Sequence, residues 1–195
     1  MTTLLFSGGL DSTAISWWKR PDVLLNVDYG QVSALAEKEA ATKLANLINL
    51  PIEFISVDLG SIGSGDLSRK APIDIAPTSD WWPFRNQLLI SIAAAWSVHR
   101  GYQTVMIGSV KSDNSFADST PSFIDLMRSV LAVQEGNIGI EAPALEMSAV
   151  QLIKQSGIPL QILPLCFSCN VSSRPCGMCR SCIKYRETLS FFNLI

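Results

Sequence analysis

A chain of 195 residues with 48 % hydrophobic and 16 % charged residues is long enough for one domain with a small appendage and apolar enough to bury a core, which excludes a disordered protein. The formal net charge is −2 and no Lys/Arg run occurs, so stable nucleic-acid binding through phosphates is not expected. No apolar run reaches the ~18–20 residues of a membrane span, and no basic region precedes the first apolar stretch, so neither a membrane protein nor a secretory signal is expected and the chain is assigned to the cytoplasm.

Thr2–Phe6 is a short apolar run that predicts a buried strand, broken by Ser7-Gly8-Gly9. A helix is expected from Asp11-Ser12, with Ala14, Ile15, Trp17 and Trp18 as its buried face. Val23–Val27 reads as a second strand ending at Asp28-Tyr29-Gly30-Gln31. Ala34–Asn49 reads as an amphipathic helix with Leu35, Leu44, Leu47 and Ile48 inward, and Ile52–Val57 as a third strand. Residues 59–83 hold three glycines and three prolines and predict a long functional loop over the sheet. Phe84–Arg100 predicts an apolar helix stopped by Gly101, Thr104–Ile107 a fourth strand and Gly108–Asp118 a polar loop. Thr120-Pro121 has the form of a cap with proline at the first helical position, opening a helix with Phe123, Ile124, Met127, Val130 and Leu131 on one face. Ile138–Ala142 is a candidate fifth strand. Ser148 and Gln151 form a capping-box pattern for a helix running to Gln155 and closed by Gly157. The last forty residues are rich in Pro and Cys and show no periodicity. Strands alternating with helices predict a doubly wound parallel α/β sheet, Rossmann-like, over 1–160, with a small Cys-rich metal subdomain over 161–195. Ligands of such sheets bind beyond the carboxyl ends of the strands.

The most informative stretch is Phe6-Ser7-Gly8-Gly9-Leu10-Asp11-Ser12. A strand, a glycine turn and a helix start bring free backbone N–H groups against an anion, and glycine lets the backbone come close to phosphate oxygens. Ser7 and Ser12 add hydroxyl donors. Asp11 cannot hold a phosphate itself, and its sensible role is to hold a Mg²⁺ ion that bridges to one. The Lys-Ser/Thr ending of a Walker loop is absent and the glycine spacing is wrong for a dinucleotide fingerprint.

Cys166, Cys169, Cys176, Cys179 and Cys182 lie within seventeen residues. In a reducing compartment such a group points to metal ligation rather than disulfides. Thiolates at Cys-x2-Cys spacing converge on one tetrahedral ion, Zn²⁺ by default, with iron–sulfur ligation and disulfide exchange as rivals. One cysteine is surplus. The ligands are either Cys169, Cys176, Cys179 and Cys182, or Cys166, Cys169, Cys179 and Cys182. His99, the only histidine, sits at a helix end, where a cation suits the dipole, and receives no catalytic role.

Ser-Gly-Gly-x-Asp-Ser resembles the pyrophosphate loop of the PP-loop (N-type) ATP pyrophosphatases, of adenine nucleotide α hydrolase-like fold. That resemblance implies cleavage of ATP between its α and β phosphates, with AMP passing to a substrate oxygen. Within that group the chain resembles the 7-cyano-7-deazaguanine synthase family of the queuosine pathway. The residues that carry this are the loop, Tyr29-Gly30-Gln31 with Glu37, Phe84-Arg85-Asn86, Gly108 through Asp113-x-Ser115 and Asp118, and Cys169-x6-Cys176-x2-Cys179-x2-Cys182, whose first spacer is two residues shorter than the family's. The family's pattern favours the first cysteine set and a closed, structural zinc site. The resemblance further implies ATP and Mg²⁺ as cofactors, Phe6–Ser12 with Tyr29, Gln31, Arg85 and Asn86 around the nucleotide, and Asp113, Ser115 and Asp118 on the substrate. Ser7, Asp11, Ser12 and Arg85 are the catalytic candidates; Arg85 would hold a carboxylate or phosphate as a fork. A homodimer is also implied. The expected reaction is adenylation of 7-carboxy-7-deazaguanine and its conversion with ammonia to the nitrile.

The chain departs from the family at three places. Val32, Ser33 and Ala34 stand where a basic residue follows the Tyr-x-Gln, Phe116–Thr120 replaces a Tyr-Pro-Asp-Cys-Arg stretch, and Ser148 or Ala149 replaces a lysine. These departures motivate an alternative, in which the activated carboxylate is coupled to a protein or other macromolecular amine, as in an antiviral defence system.

Overall fold

The computed structural model describes every residue except Asn114, which lies in the predicted loop Gly108–Asp118. Val, Ile and Leu dominate the runs that pair into a parallel sheet. Among the described residues these are β1 (Thr2–Leu5), β2 (Val23–Asp28), β3 (Ile52–Ser56), β4 (Thr104–Met106) and β5 (Gly139–Glu141), in the order β3-β2-β1-β4-β5. Both faces of such a sheet must be covered. Because the side-chain period is two, the register Thr3↔Val23 and Thr3↔Val105 turns Leu4, Leu24 and Met106 to one face and Thr3, Val23 and Val105 to the other.

The first face packs against α1 (Leu10–Lys19), α2 (Ala34–Ile48) and α5 (Ala149–Ser156), and the second against α3 (Arg85–His99) and α4 (Pro121–Ala132). Ser97 on α3 donates to Thr3 Oγ1 at 3.0 Å, satisfying both hydroxyls inside the second layer. The local signals behave as expected at several ends. Thr120 Oγ1 accepts from Phe123 N, the Ser148–Gln151 capping box is formed, and Gly157 closes α5 at φ +64°.

Three expectations are corrected. Leu35 and Leu47 of α2 are exposed, and the face against the sheet is Ala36, Ala40, Ala41, Leu44, Ala45 and Ile48. Small side chains bring this helix close to the sheet, so the larger apolar residues are displaced to its flanks. Val130 of α4 is likewise exposed, leaving Ile124, Met127 and Leu131 as the core positions. Segment 59–83 is the long loop expected, with the 3-10 turns Gly60–Ile62 and Asp66–Ser68 in it and with Leu67 and Trp82 buried. The last forty residues, read as aperiodic, contain a twelve-residue helix, α6 (Arg180–Phe191). The 161–195 segment shares the first core, where Leu163 and Leu189 are fully buried.

The sheet order reverses between β1 and β4, which makes the crevice beyond their carboxyl ends the topological switch point. The turn after β1 and Gly108 after β4 meet there. A methyl group on Gly108 would stand 3.5 Å from the backbone of Ser12.

Candidate active site

A cleft of about 710 Å³ opens at this switch point. Phe6 is buried at the end of β1, and Gly8 turns the chain with φ +76°. No other residue fits at position 8, because a Cβ would lie 2.8 Å from the backbone nitrogen of Ala41 on α2. Gly9 then caps α1 without any side-chain acceptor, so the first backbone N–H groups of α1 stay available to an anion. Ser7 Oγ accepts from Gly9 N, and Ser12 donates to Gly9 O, both at 3.3 Å. Phe6, Ser7, Gly9, Leu10, Asp11 and Ser12 line the cleft, with Gly8 behind them as the hinge of the turn.

Asp11 is the chemical centre of this wall. Its Oδ2 accepts from Lys184 Nζ at 2.9 Å, while its Oδ1 is buried with no hydrogen-bond partner among the described residues. A buried carboxylate oxygen without a donor is costly, and an oxygen-seeking cation would satisfy it. Burial pushes the Asp11 pKa up from its ordinary 3.8, opposed by the Lys184 charge and aided by Asp113. Asp113 accepts from the same ammonium at 3.3 Å and from Val110 N at 3.2 Å. Burial works against the Lys184 ammonium, but the two carboxylates outweigh it and raise its pKa above 10.5.

The remaining candidates divide by what they touch. Tyr29, Arg85, Asn86 and Asp113 line the cleft; Gln31, Ser115 and Asp118 lie outside its lining. Gln31 is consumed internally: its Oε1 accepts from Tyr29 N, and its amide donates to Val27 O and Glu37 Oε2. Ser115 accepts from Arg180 Nη2 at 2.8 Å. Asp118 Oδ2 accepts from Asn86 N at 2.9 Å, while Asn86 Nδ2 donates to Asp118 O and Ser119 Oγ, so this pair pins the start of α3 to the loop before α4. Tyr29 presents its ring edge-on to Trp82 at 5.0 Å, and burial raises its hydroxyl pKa. Glu37 also lines the cleft, and burial raises its pKa against hydrogen bonds from Ser33 and Gln31 and the Arg85 charge.

Two cations of the cleft are not among the residues that the sequence motifs mark. Arg180 and Lys184 stand one turn apart on α6, and both face the cleft. The Arg180 guanidinium lies 4.9 Å from the Phe116 ring centroid, donates to Ser112 O at 3.2 Å and approaches Asp80 Oδ1 at 3.8 Å. The available signal was two cations spaced i, i+4 immediately after a Cys-x2-Cys pair.

The thiols of Cys169, Cys176, Cys179 and Cys182 all lie within 4.8 Å of one another. Cys176 and Cys182 Sγ are 3.9 Å apart, close to the ~3.8 Å edge of a tetrahedron with 2.3 Å metal–sulfur bonds. N–H groups of Cys179 and Met178 point at Cys176 Sγ and lower its pKa to about 6, which favours the thiolate form that a metal ligand needs. Cys166 stands apart, and burial pushes its thiol up to about 12. The donor set therefore fits a tetrahedral ion such as zinc. The cysteine cluster is tied to the glycine turn, because Phe167 N donates to Gly8 O at 3.0 Å.

A glycine turn at the switch point of a five-stranded parallel sheet, backed by a four-cysteine centre, defines a Rossmann-like α/β protein of PP-loop type. The family model described as Queuosine biosynthesis protein QueC matches residues 2–192, and the chain belongs to that family. It is 30 % identical to 7-cyano-7-deazaguanine synthase 1 of Desulfitobacterium hafniense (strain Y51), over 95 % of this chain and 90 % of that protein. It is 31 % identical to the 7-cyano-7-deazaguanine synthase of Nitrosomonas eutropha, over 92 % and 88 %, and 28 % identical to that of Methanospirillum hungatei JF-1, over 91 % and 89 %. Among the described residues no helix is long and apolar enough to cross a membrane.

Proposed function

We propose that the protein is an ATP-dependent carbon–nitrogen ligase that adenylates the carboxylate of 7-carboxy-7-deazaguanine and converts it with ammonia to 7-cyano-7-deazaguanine. The observation that carries this reading is the open, buried Oδ1 of Asp11 beside a glycine turn whose N–H groups face the cleft. A carboxylate is a poor electrophile, and esterification by AMP gives it a leaving group that ammonia displaces to form the amide; a second activation by ATP would then carry off the amide oxygen. The turn would cradle the departing pyrophosphate through backbone N–H groups and the Ser7 hydroxyl. Asp11 would hold Mg²⁺, which supplies charge neutralisation on the phosphates when bound. Arg85, in the lining near Tyr29 and Glu37, offers a planar fork for the substrate carboxylate. Zinc on the four cysteines would fix the C-terminal segment against the turn and take no part in the chemistry.

Purified protein with ATP, Mg²⁺, 7-carboxy-7-deazaguanine and ammonia is expected to release AMP, pyrophosphate and the nitrile. Ser7→Ala and Asp11→Ala are expected to abolish AMP release, and normal turnover in either sinks the assignment of the turn. AMP release without nitrile, together with a gain of mass on a partner protein, transfers the adenylate to a macromolecular amine instead. Arg180 and Lys184 speak for the small-molecule reaction, because they supply the basic groups that residues 32–34 and 148–149 lack.

A further inference from the structure

Residues 6–12 carry no basic side chain. Among the described residues the cations lining the cleft are Arg85, Arg180 and Lys184, and of these Lys184 makes the contact with the phosphate turn, at Asp11. Two explanations compete for that contact. A purely structural ion pair would tie α6 to the turn. A partly buried ion pair, however, stabilises a fold poorly, because desolvation and side-chain ordering offset most of the attraction. A pair built for stability would also satisfy both carboxylate oxygens, and among the described residues Asp11 Oδ1 has no partner. Lys184 is further shared between two carboxylates, Asp11 and Asp113, and its side chain is 32 % exposed toward the cleft. Such an ammonium can leave Asp11 for a stronger anion while Asp113 keeps it in place.

We propose that Lys184 is a catalytic residue of the adenylation step, the cation that receives the pyrophosphate leaving group. The inference rests on the adenylation reading. In that step a substrate carboxylate oxygen forms a bond to the α-phosphorus of ATP. The bond from that phosphorus to the oxygen bridging the β-phosphate breaks, and its electron pair departs with pyrophosphate. Negative charge grows on that oxygen as the bond lengthens. An N–H of Lys184 moves from Asp11 Oδ2 to a pyrophosphate oxygen and stabilises the charge, and no oxidant or further reactant is needed. Arg180, one turn earlier on the same helix face, is held on the cleft wall by Ser112 O, Ser115 and the Phe116 ring. It is positioned to close over the same group.

Two measurements on the metal-loaded protein test this. The first is ATP–pyrophosphate exchange in the presence of 7-carboxy-7-deazaguanine and Mg²⁺; the second is calorimetric binding of inorganic pyrophosphate with Mg²⁺. In Lys184→Met the exchange rate is expected to fall about 10²–10³-fold, as when one preorganised donor is removed from developing charge. The KM for the carboxylate should stay within about threefold, the mark of an interaction made in the transition state. Pyrophosphate affinity should drop about tenfold. Lys184→Arg should recover part of both. Lys184→Gln serves the same purpose if the methionine variant loses metal or melts early. Unchanged pyrophosphate affinity in the substituted protein, with its metal content and melting temperature intact, overturns the role of Lys184. Wild-type protein that supports no exchange sinks the adenylation reading, whereas a pyrophosphate affinity that still depends on Lys184 would preserve the anion site.

Discussion

Burial raises the pKa of Asp11 above 3.8, the Lys184 charge and hydrogen bond pull it down, and the Asp113 carboxylate pushes it up. Asp11 must be ionised to hold a cation, so the acid limb of kcat/KM for AMP formation should lie above 3.8 and report the free enzyme. Lys184→Met removes both lowering influences, and the limb should move to higher pH. A pH profile whose acid limb stays put in that variant would assign the limb to another group. Gly8 sets a second test at the same scale. Its φ of +76° and the 2.8 Å approach to Ala41 N leave no room for a side chain, whereas Gly101, at φ +77°, has open space around it. Both alanine variants incur the ~1–2 kcal/mol of a left-handed backbone. Gly8→Ala should lose clearly more stability than Gly101→Ala in urea unfolding, since the turn must also separate from α2. Equal losses would show that the turn is not wedged.

Helix α6 shows why part of the site was invisible in the sequence. Its buried residues are Cys182, Thr188 and Leu189, too few and too polar to print an apolar stripe, and its large apolar residues Ile183 and Phe191 are exposed. What folds it is its first turn, where Cys179 is the cap and accepts from Cys182 N at 3.5 Å. The capped elements α4 and α5 and the cysteine spacing were legible because each is a local pattern. Lys184 on Asp11 joins residues 173 positions apart, which no local pattern encodes. The inward face of α2 is hidden for a related reason: periodicity weights large apolar side chains such as Leu35 and Leu47, while the buried face is mostly alanine. Since two proposed ligands sit in the first turn of α6, metal and cleft should be linked. Removing the metal with a chelator, or changing Cys179 to Ser, should weaken Mg²⁺-pyrophosphate binding, although the four cysteines lie outside the cleft lining. The loss should resemble that of Lys184→Met and add little to it, because both act through one side chain. Calorimetry beside elemental analysis checks this, and full affinity in metal-free protein would show that α6 keeps its place unaided.

At the scale of the whole molecule the alternating strands and helices fixed the layer order, but not which layer the C-terminal segment would join. Leu163 and Leu189 are buried to 0 % and 1 % exposure in the core under α1, α2 and α5, with Ile162 and Cys166 beside them. Burying each large apolar side chain is worth roughly 1.5–3 kcal/mol, against a typical net stability of about 5–15 kcal/mol. A chain cut after Leu160 would lose these residues and uncover the faces of α1 and α5 that they cover. It would also lose the Phe167 N–H that holds Gly8 O. The 1–160 unit should therefore melt without a cooperative transition and bind a hydrophobic dye at temperatures where the full chain is native. Circular dichroism and dye fluorescence on the two proteins measure this. A truncated chain with a sharp melt near that of the full protein would establish the C-terminal segment as a separable module, and the metal centre would then act on the cleft only through the contacts of Phe167, Arg180 and Lys184.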